Sequence, residues 1–315
     1  MDIDWDGDLG IFLRRDALAQ GYDDRTLRML VRRSELHRIR RGAFIPMSIW
    51  SLFDAAGRHR ATARAVLRTA HPSAALTHVS SLLEHEAPTW HVDLSEVHLT
   101  RTDGLAGRRE AGVVHHRGAL LTKEVVTCHG VPVSPAGRAC IELTTMAGVE
   151  SSLVSTNWLL AQRVTTKEEL AALVERFQFW PRSLRSDLVV RLADPRCAWP
   201  GEARLSHLLW REHLPRPAPQ YEVYDERGNL AAVLDFALPE FGVFIEFDGL
   251  IKYQRMRRED ETLDDVILRE KRREELVCLL TGWICIRVTW EDLARPTLTA
   301  RRIRAVLAGR AASRR

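Results

Sequence analysis

Lysine is nearly absent from this chain. Of its 46 basic residues only Lys123, Lys167, Lys252 and Lys271 are lysine, and the rest are arginine. A GC-rich genome produces that skew by itself, but where arginine is the default cation a retained lysine marks a place that needs a compact point charge. Cysteine is scarce too: five residues (128, 140, 197, 278 and 285), odd in number and with no CxxC spacing. This argues against a disulfide framework and a zinc ribbon and fits a reducing compartment. No run of about 18 apolar residues occurs, so no membrane-spanning helix is expected. The opening MDIDWDGDLG is acidic and lacks the basic-then-apolar pattern of a secretion signal, which points to the cytoplasm. P-loop, GxGxxG and GxSxG motifs are missing, so ATP, NAD and serine-hydrolase chemistry have no support. Histidine stops at His213, which removes an HNH-type nuclease from the last third. The seven histidines at 78, 85, 91, 98, 115, 116 and 129 show no HExxH or paired Cys/His spacing, so no zinc site is expected.

What is present divides into three parts: 1–57, 58–195 and 196–315. The fold class expected is a multidomain α+β or α/β protein. In the first part FLRRDALAQ is a short helix stopped by Gly21, and Asp23 or Asp24 can cap the next. That helix, DRTLRMLVRRSE, puts Leu27, Leu30 and Val31 on one stripe and arginines on the rest. LHRIRRGAFIP then turns at Arg41-Gly42. Helix, turn, arginine-studded helix and basic hairpin outline a winged helix-turn-helix, or else an ordinary small bundle with a solvated arginine face. The middle mixes helix and strand, with HRATARAVLRTA and SAALTHVSSLLEHE read as helices and EVHLTR, GVVHH and GVPVS as strands. ADPRCAWPG (193–201) reads as a linker. After it the order is αβββαβα, with helices near 202–213 and 258–280.

The chemistry concentrates in VFIEFDGLIKY, 243–253, where an apolar strand carries Glu246 and Asp248 and is followed by Lys252. Charge is seldom placed at the end of a buried strand without a use. A hairpin loop over 239–242 pairs 238 with 243 and so sets Asp235 opposite Glu246. Directly opposed residues lie about 4.5–5.5 Å apart at Cβ, where like charges repel. Either their pKa values rise or a cation sits among them. A hard divalent ion suits the pattern, and ion pairing with the many arginines is the alternative. Glu202, near the apolar stripe of Leu205 and Leu209, can reach the patch or simply favour its helix start.

The GEARLSHLL helix, VLDFALPEFGVFIEFDGLIKY, REKRREEL and GWICIRVTWEDL together resemble the PD-(D/E)XK nuclease superfamily, in its very-short-patch-repair-like branch, over about residues 200–310. The resemblance implies a restriction-endonuclease-like fold with Asp235 and Glu246 as ligands of Mg²⁺ or Mn²⁺ and Glu202 as the helix-borne acid. The superfamily pattern has lysine two residues after the glutamate. Here that place is held by Asp248, so Lys252 supplies the charge from the next turn, or the site does not cut.

RRDALAQGYDDRTLRMLVRRSELHRIRRGAFIP resembles the winged-helix domain of AbiEi-type antitoxins from abortive-infection toxin–antitoxin pairs. It implies double-stranded DNA as partner, met by Arg28, Arg32 and Arg33 from the second helix and by Arg38, Arg40 and Arg41 from the wing. Two functions follow. One is an endonuclease, with Asp235, Glu246, Lys252, Glu202 and Asp248 at the site, acting in defence against mobile DNA. The other is a non-catalytic regulator or antitoxin that meets a cognate toxin protein.

Overall fold

Gly21 and Asp23 split the arginine-rich start of the chain into two helices. The Asp23 carboxylate accepts the Thr26 N–H at 2.7 Å and so starts the helix Asp24–Arg32. The computed structural model describes residues 9–105, 107–248 and 263–313. They form a mixed α+β protein that divides into two compact units, Met1–Thr156 with Val164–Val190, and Asn157–Arg163 with Arg191–Arg315.

In the first unit the helices Arg14–Ala19 and Asp24–Arg32 pack Ala17, Leu27 and Leu30 against Phe12, Leu36 and Phe44 of a three-stranded sheet. The strands Leu36–Arg40 and Ala43–Pro46 of that sheet are joined by the two residues Arg41 and Gly42. Gly42 has φ +77°, which only glycine takes without strain. Beyond lies a six-stranded sheet in the order Arg108–Glu110, Val113–His116, Val97–Arg101, Ala74–Leu76, Val131–Val133, Val126–Cys128. The helix Ala55–Leu67 supplies Ala63 and Val66 to its core of Leu76, Val97, Leu99, Val113 and Val133. One expectation is corrected here. SAALTHVSSLLEHE is a strand, Ala74–Leu76, followed by a shorter helix, His78–Glu84. Short apolar runs have no periodicity that separates the two states, and pairing on both sides decides for the strand.

This unit buries an imidazole stack. The rings of His78 and His116 lie 3.6 Å apart, and His98 Nδ1 and His116 Nε2 share a hydrogen bond of 2.8 Å. Such a bond needs one donor and one acceptor, which two neutral rings provide. Burial first, then mutual repulsion, pushes His98 down to about 4; burial, with His115, does the same for His116, and His78 is also lowered. A depressed histidine binds its proton later in the folded chain than in the unfolded one. Stability is therefore full above the ordinary 6.5 and drains away as pH falls to about 4. The loss expected over that window from His98 alone is roughly 3 kcal/mol. Urea unfolding of the first unit at neutral and acid pH reads it directly, and His116→Gln should flatten the dependence. An unfolding midpoint that does not move with pH in this window would show that the stack does not control it.

In the second unit the sheet order is Ala218–Tyr224, Leu230–Leu238, Val243–Asp248, Ile284–Thr289. The first three strands are antiparallel and the last runs parallel to Val243–Asp248. A parallel neighbour needs a crossover, and the helix Leu263–Thr281 belongs to it. One face of the sheet packs Phe236, Val243, Ile245, Phe247 and Val288 against the helices Pro200–Arg211 and Pro296–Ser313. The other packs Leu234, Ala237 and Phe244 against Val277 of the long helix. The helix Pro200–Arg211 stops short of His213, which takes φ +53° beyond its end. A short capped helix, Trp290–Ala294, precedes the last one. No helix among the described residues is long and apolar enough to cross a membrane.

Candidate functional site

The hairpin closes through Pro239–Phe241 and Gly242, whose φ of +62° makes the reversal. The observed pairs Leu238–Val243, Ala237–Phe244 and Phe236–Ile245 match a four-residue loop. Continued by one pair, the register sets Asp235 across from Glu246. Both are buried, at 6% and 5% exposure. Asp235 Oδ2 accepts the Phe247 N–H at 2.9 Å, which fixes its carboxylate beside the residue that follows Glu246.

The strand is irregular at this point. Leu234 and Ala237, three residues apart instead of two, both pack with Phe244 and Val277, while Phe236 packs on the opposite face. The partner position on the outer strand is Gln220, with φ +52°, a left-handed conformation uncommon outside glycine. A break of this kind re-aims one side chain out of the regular alternation, as bulges do beside functional sites.

Two guanidinium groups stand among the acids. Arg273, from the long helix, lies 3.1 Å from Glu246 Oε2 and 3.0 Å from Glu270, and donates to Val233 O at 2.9 Å. Burial works against its charge, but Glu246 and Glu270 outweigh burial and leave its pKa raised. Arg287 faces Glu246 across the parallel ladder and reaches Asp248 at 3.0 Å and Glu274 at 2.5 Å. The cation that the crowded acids require is thus, for Glu246 and Asp248, an arginine. Neither arginine had been singled out from sequence. The signal available was the period of REKRREEL, which sets Glu270, Arg273 and Glu274 on neighbouring turns.

Glu202 lies in the first turn of Pro200–Arg211 and is buried. Its carboxylate accepts the Trp199 N–H at 3.4 Å, a helix-starting contact. Gly201 beside it is in tight apposition to the strand, since a Cβ there would fall 2.0 Å from the Phe247 ring. This helix start therefore sits on the Phe247 face, whereas Arg273 approaches Glu246 from the face of the long helix. The structure brings together Asp235, Glu246 and, through Arg287, Asp248. Lys252 lies outside the described residues.

Among the described residues no three His, Cys, Asp or Glu side chains are grouped to hold a metal, so an all-protein cage does not fit. The Asp235–Glu246 pair does fit a hard cation that takes one or two carboxylates and completes its shell with water and phosphate oxygens, the habit of Mg²⁺. On Glu246 such a cation competes with Arg273.

In the first unit Arg28 and Arg32 stand one turn apart on Asp24–Arg32, with Arg33 just beyond the helix end. Arg38 and Arg40 lie on the strand Leu36–Arg40, and Arg41 is in its turn. All are exposed except Arg40, which is half-buried. Arg28 donates to Asp24 O at 3.0 Å and Arg33 lies 4.0 Å from Glu35. These are loose surface contacts that leave the charges available. No family model matches the chain, and neither does any curated protein.

Proposed function

We propose that this chain is a cytoplasmic protein that binds double-stranded DNA and hydrolyses its phosphodiester bonds with a PD-(D/E)XK-type domain of the very-short-patch-repair-like branch. The observation that carries the reading is the buried Asp235–Glu246 pair on adjoining strands, within the order αβββαβα. Asp235 and Glu246 would hold Mg²⁺ or Mn²⁺. When bound, the ion supplies Lewis-acid neutralisation of the charge that builds on the phosphate. Asp235 is pre-aimed by its bond from the Phe247 N–H, so it need not reorganise. Arg287 holds Asp248, which orients water from outside the ligand pair, while Glu202 serves its helix start on the Phe247 face. Lys252 contributes a compact positive charge toward the phosphate. The arginines at 28, 32, 33, 38, 40 and 41, in an AbiEi-type winged helix, bring the duplex in. Most of them position the backbone and do not read bases. Defence against mobile DNA is the setting that the resemblance suggests.

A second reading is favoured by a specific observation, the Arg273–Glu246 and Arg287–Asp248 ion pairs. They offset the charge of Glu246 and of Asp248 without a metal. The domain then serves as a DNA-gripping module in a regulator or antitoxin that meets a toxin protein. Supercoiled plasmid incubated with the full chain separates the two. Cutting that appears with Mg²⁺ or Mn²⁺ and stops with chelator is the expected result. Salt-sensitive binding with no cutting under any metal would leave the regulator.

A further inference from the structure

The first unit contains a cleft of about 450 Å³ between the basic hairpin and the edge of the six-stranded sheet. Its walls include Val66 and Val113, and its charged lining includes Arg40, Arg101, Arg108 and His115. Apolar walls with a few convergent polar groups are the usual make-up of a small-molecule site, and this volume falls within the usual range of about 300–1,000 Å³.

The charges do not cancel. Arg101 is paired with Asp103 at 3.0 Å. Arg108 meets Glu110 at 3.3 Å, but both side chains are more than half exposed, so that pair is worth little and exchanges readily. Arg40 has no hydrogen-bond or ion-pair partner among the described residues, although it is half-buried. His115 likewise has no ring hydrogen bond among them. Burial, then the nearby Arg108, with Arg101 adding to it, holds His115 below the ordinary histidine range against the pull of Glu110. The imidazole thus senses a positive field inside the cleft.

We infer that this cleft binds a small phosphorylated molecule with an apolar or aromatic body, of nucleoside-monophosphate size. Its phosphate is held by Arg40, with Arg101 and Arg108 beside it. Arginine forks match phosphate oxygens in pairs, and several convergent forks favour a dianion over a single carboxylate. The body lies along Val66 and Val113. One consequence rests on the DNA reading above: a ligand that engages Arg40 withdraws it from the duplex, so the small molecule and DNA oppose each other.

The test is calorimetric titration of the full chain, without DNA, using adenosine 5′-monophosphate, inorganic phosphate and adenosine. The nucleotide should bind more tightly than phosphate, and adenosine should give no signal. Arg40→Ala and Arg101→Ala should each weaken the nucleotide roughly tenfold or more, as loss of a charged hydrogen bond does. The Arg40 side chain has no partner among the described residues to lose, so its variant should keep the wild-type melting temperature and separate binding from folding. The His115 resonance should titrate at higher pH with the nucleotide bound. Absence of binding at millimolar nucleotide and phosphate would overturn the inference, as would binding that both variants leave unchanged. Variants that weaken only a DNA duplex would instead assign the cleft to the DNA face. Because DNA is absent from the main titration, its failure leaves the plasmid result untouched.

Discussion

Exchanging Asp235 for asparagine, or Glu246 for glutamine, is expected to lower Mg²⁺-dependent plasmid cutting by about a hundredfold to a thousandfold. Each removes one of the two carboxylates proposed to hold the ion, and loss of a single pre-aimed electrostatic group costs about 10²–10³ in rate. The substitutions are chosen to keep the fold. Asparagine retains an oxygen for the Phe247 N–H, and glutamine one for Arg273. Melting temperatures near that of the wild type should accompany the lost activity. Cutting that survives both changes would mean the hydrolysis does not come from this site.

Arg273→Met sharpens the same test. It strips a partner from Glu246, whose side chain is 7% exposed, while Arg273 itself is 26% exposed. A fully buried pair loses about 3–5 kcal/mol when one member goes, and partial exposure reduces that to about 2–3 kcal/mol here. If Glu246 is a ligand, millimolar Mg²⁺ should restore part of the loss, because a ligand that binds only the folded state stabilises it. Under the regulator reading Mg²⁺ restores nothing. Thermal unfolding with and without the ion distinguishes the two, even if neither form cuts DNA.

The second large effect lies in the first unit. Arg64→Met should destabilise it by about 3–5 kcal/mol. Glu84 is wholly buried, and Arg64 holds both of its oxygens, with Nε on Oε1 at 2.9 Å and Nη2 on Oε2 at 2.7 Å. Removing the guanidinium leaves a charge in a core that cannot solvate it. Arg60, 3.3 Å from the same carboxylate and 25% exposed, offsets part of the loss and sets the value toward the lower end. The double change Arg64→Met with Glu84→Leu should recover most of the stability, since an apolar pair of similar volume often replaces a buried ion pair without cost. Hydrogen exchange of the amides in Ala55–Leu67 and His78–Glu84 reads this unit separately. A double variant as unstable as the single one would show that packing, not charge, sets the loss.

Much of the site was legible in advance because its rules are local. A four-residue loop fixes a hairpin register by counting, so the sequence alone opposes Asp235 to Glu246, one pair beyond the observed Phe236–Ile245. A cap at Asp23 or Asp24, settled on Asp23, and Gly42 at the hairpin turn were equally readable, since a cap and a left-handed turn each depend on one or two residues. The strand Ala74–Leu76 was not, because three apolar residues before a helix carry no period of their own.

What escaped the sequence was the identity of the cation among the acids. Arg273 meets Glu246 from 27 residues away and Arg287 meets Asp248 from 39. With arginine everywhere in the chain, composition cannot choose among so many donors. The sequence by itself determined which carboxylates share a hairpin, through side-chain alternation and loop length. Only the tertiary structure decided which guanidinium meets Glu246 and which meets Asp248, because that choice depends on where a helix and a parallel strand dock on the sheet. Docking is set by the long-range burial of Phe244, Val277 and their neighbours, for which no local pattern exists.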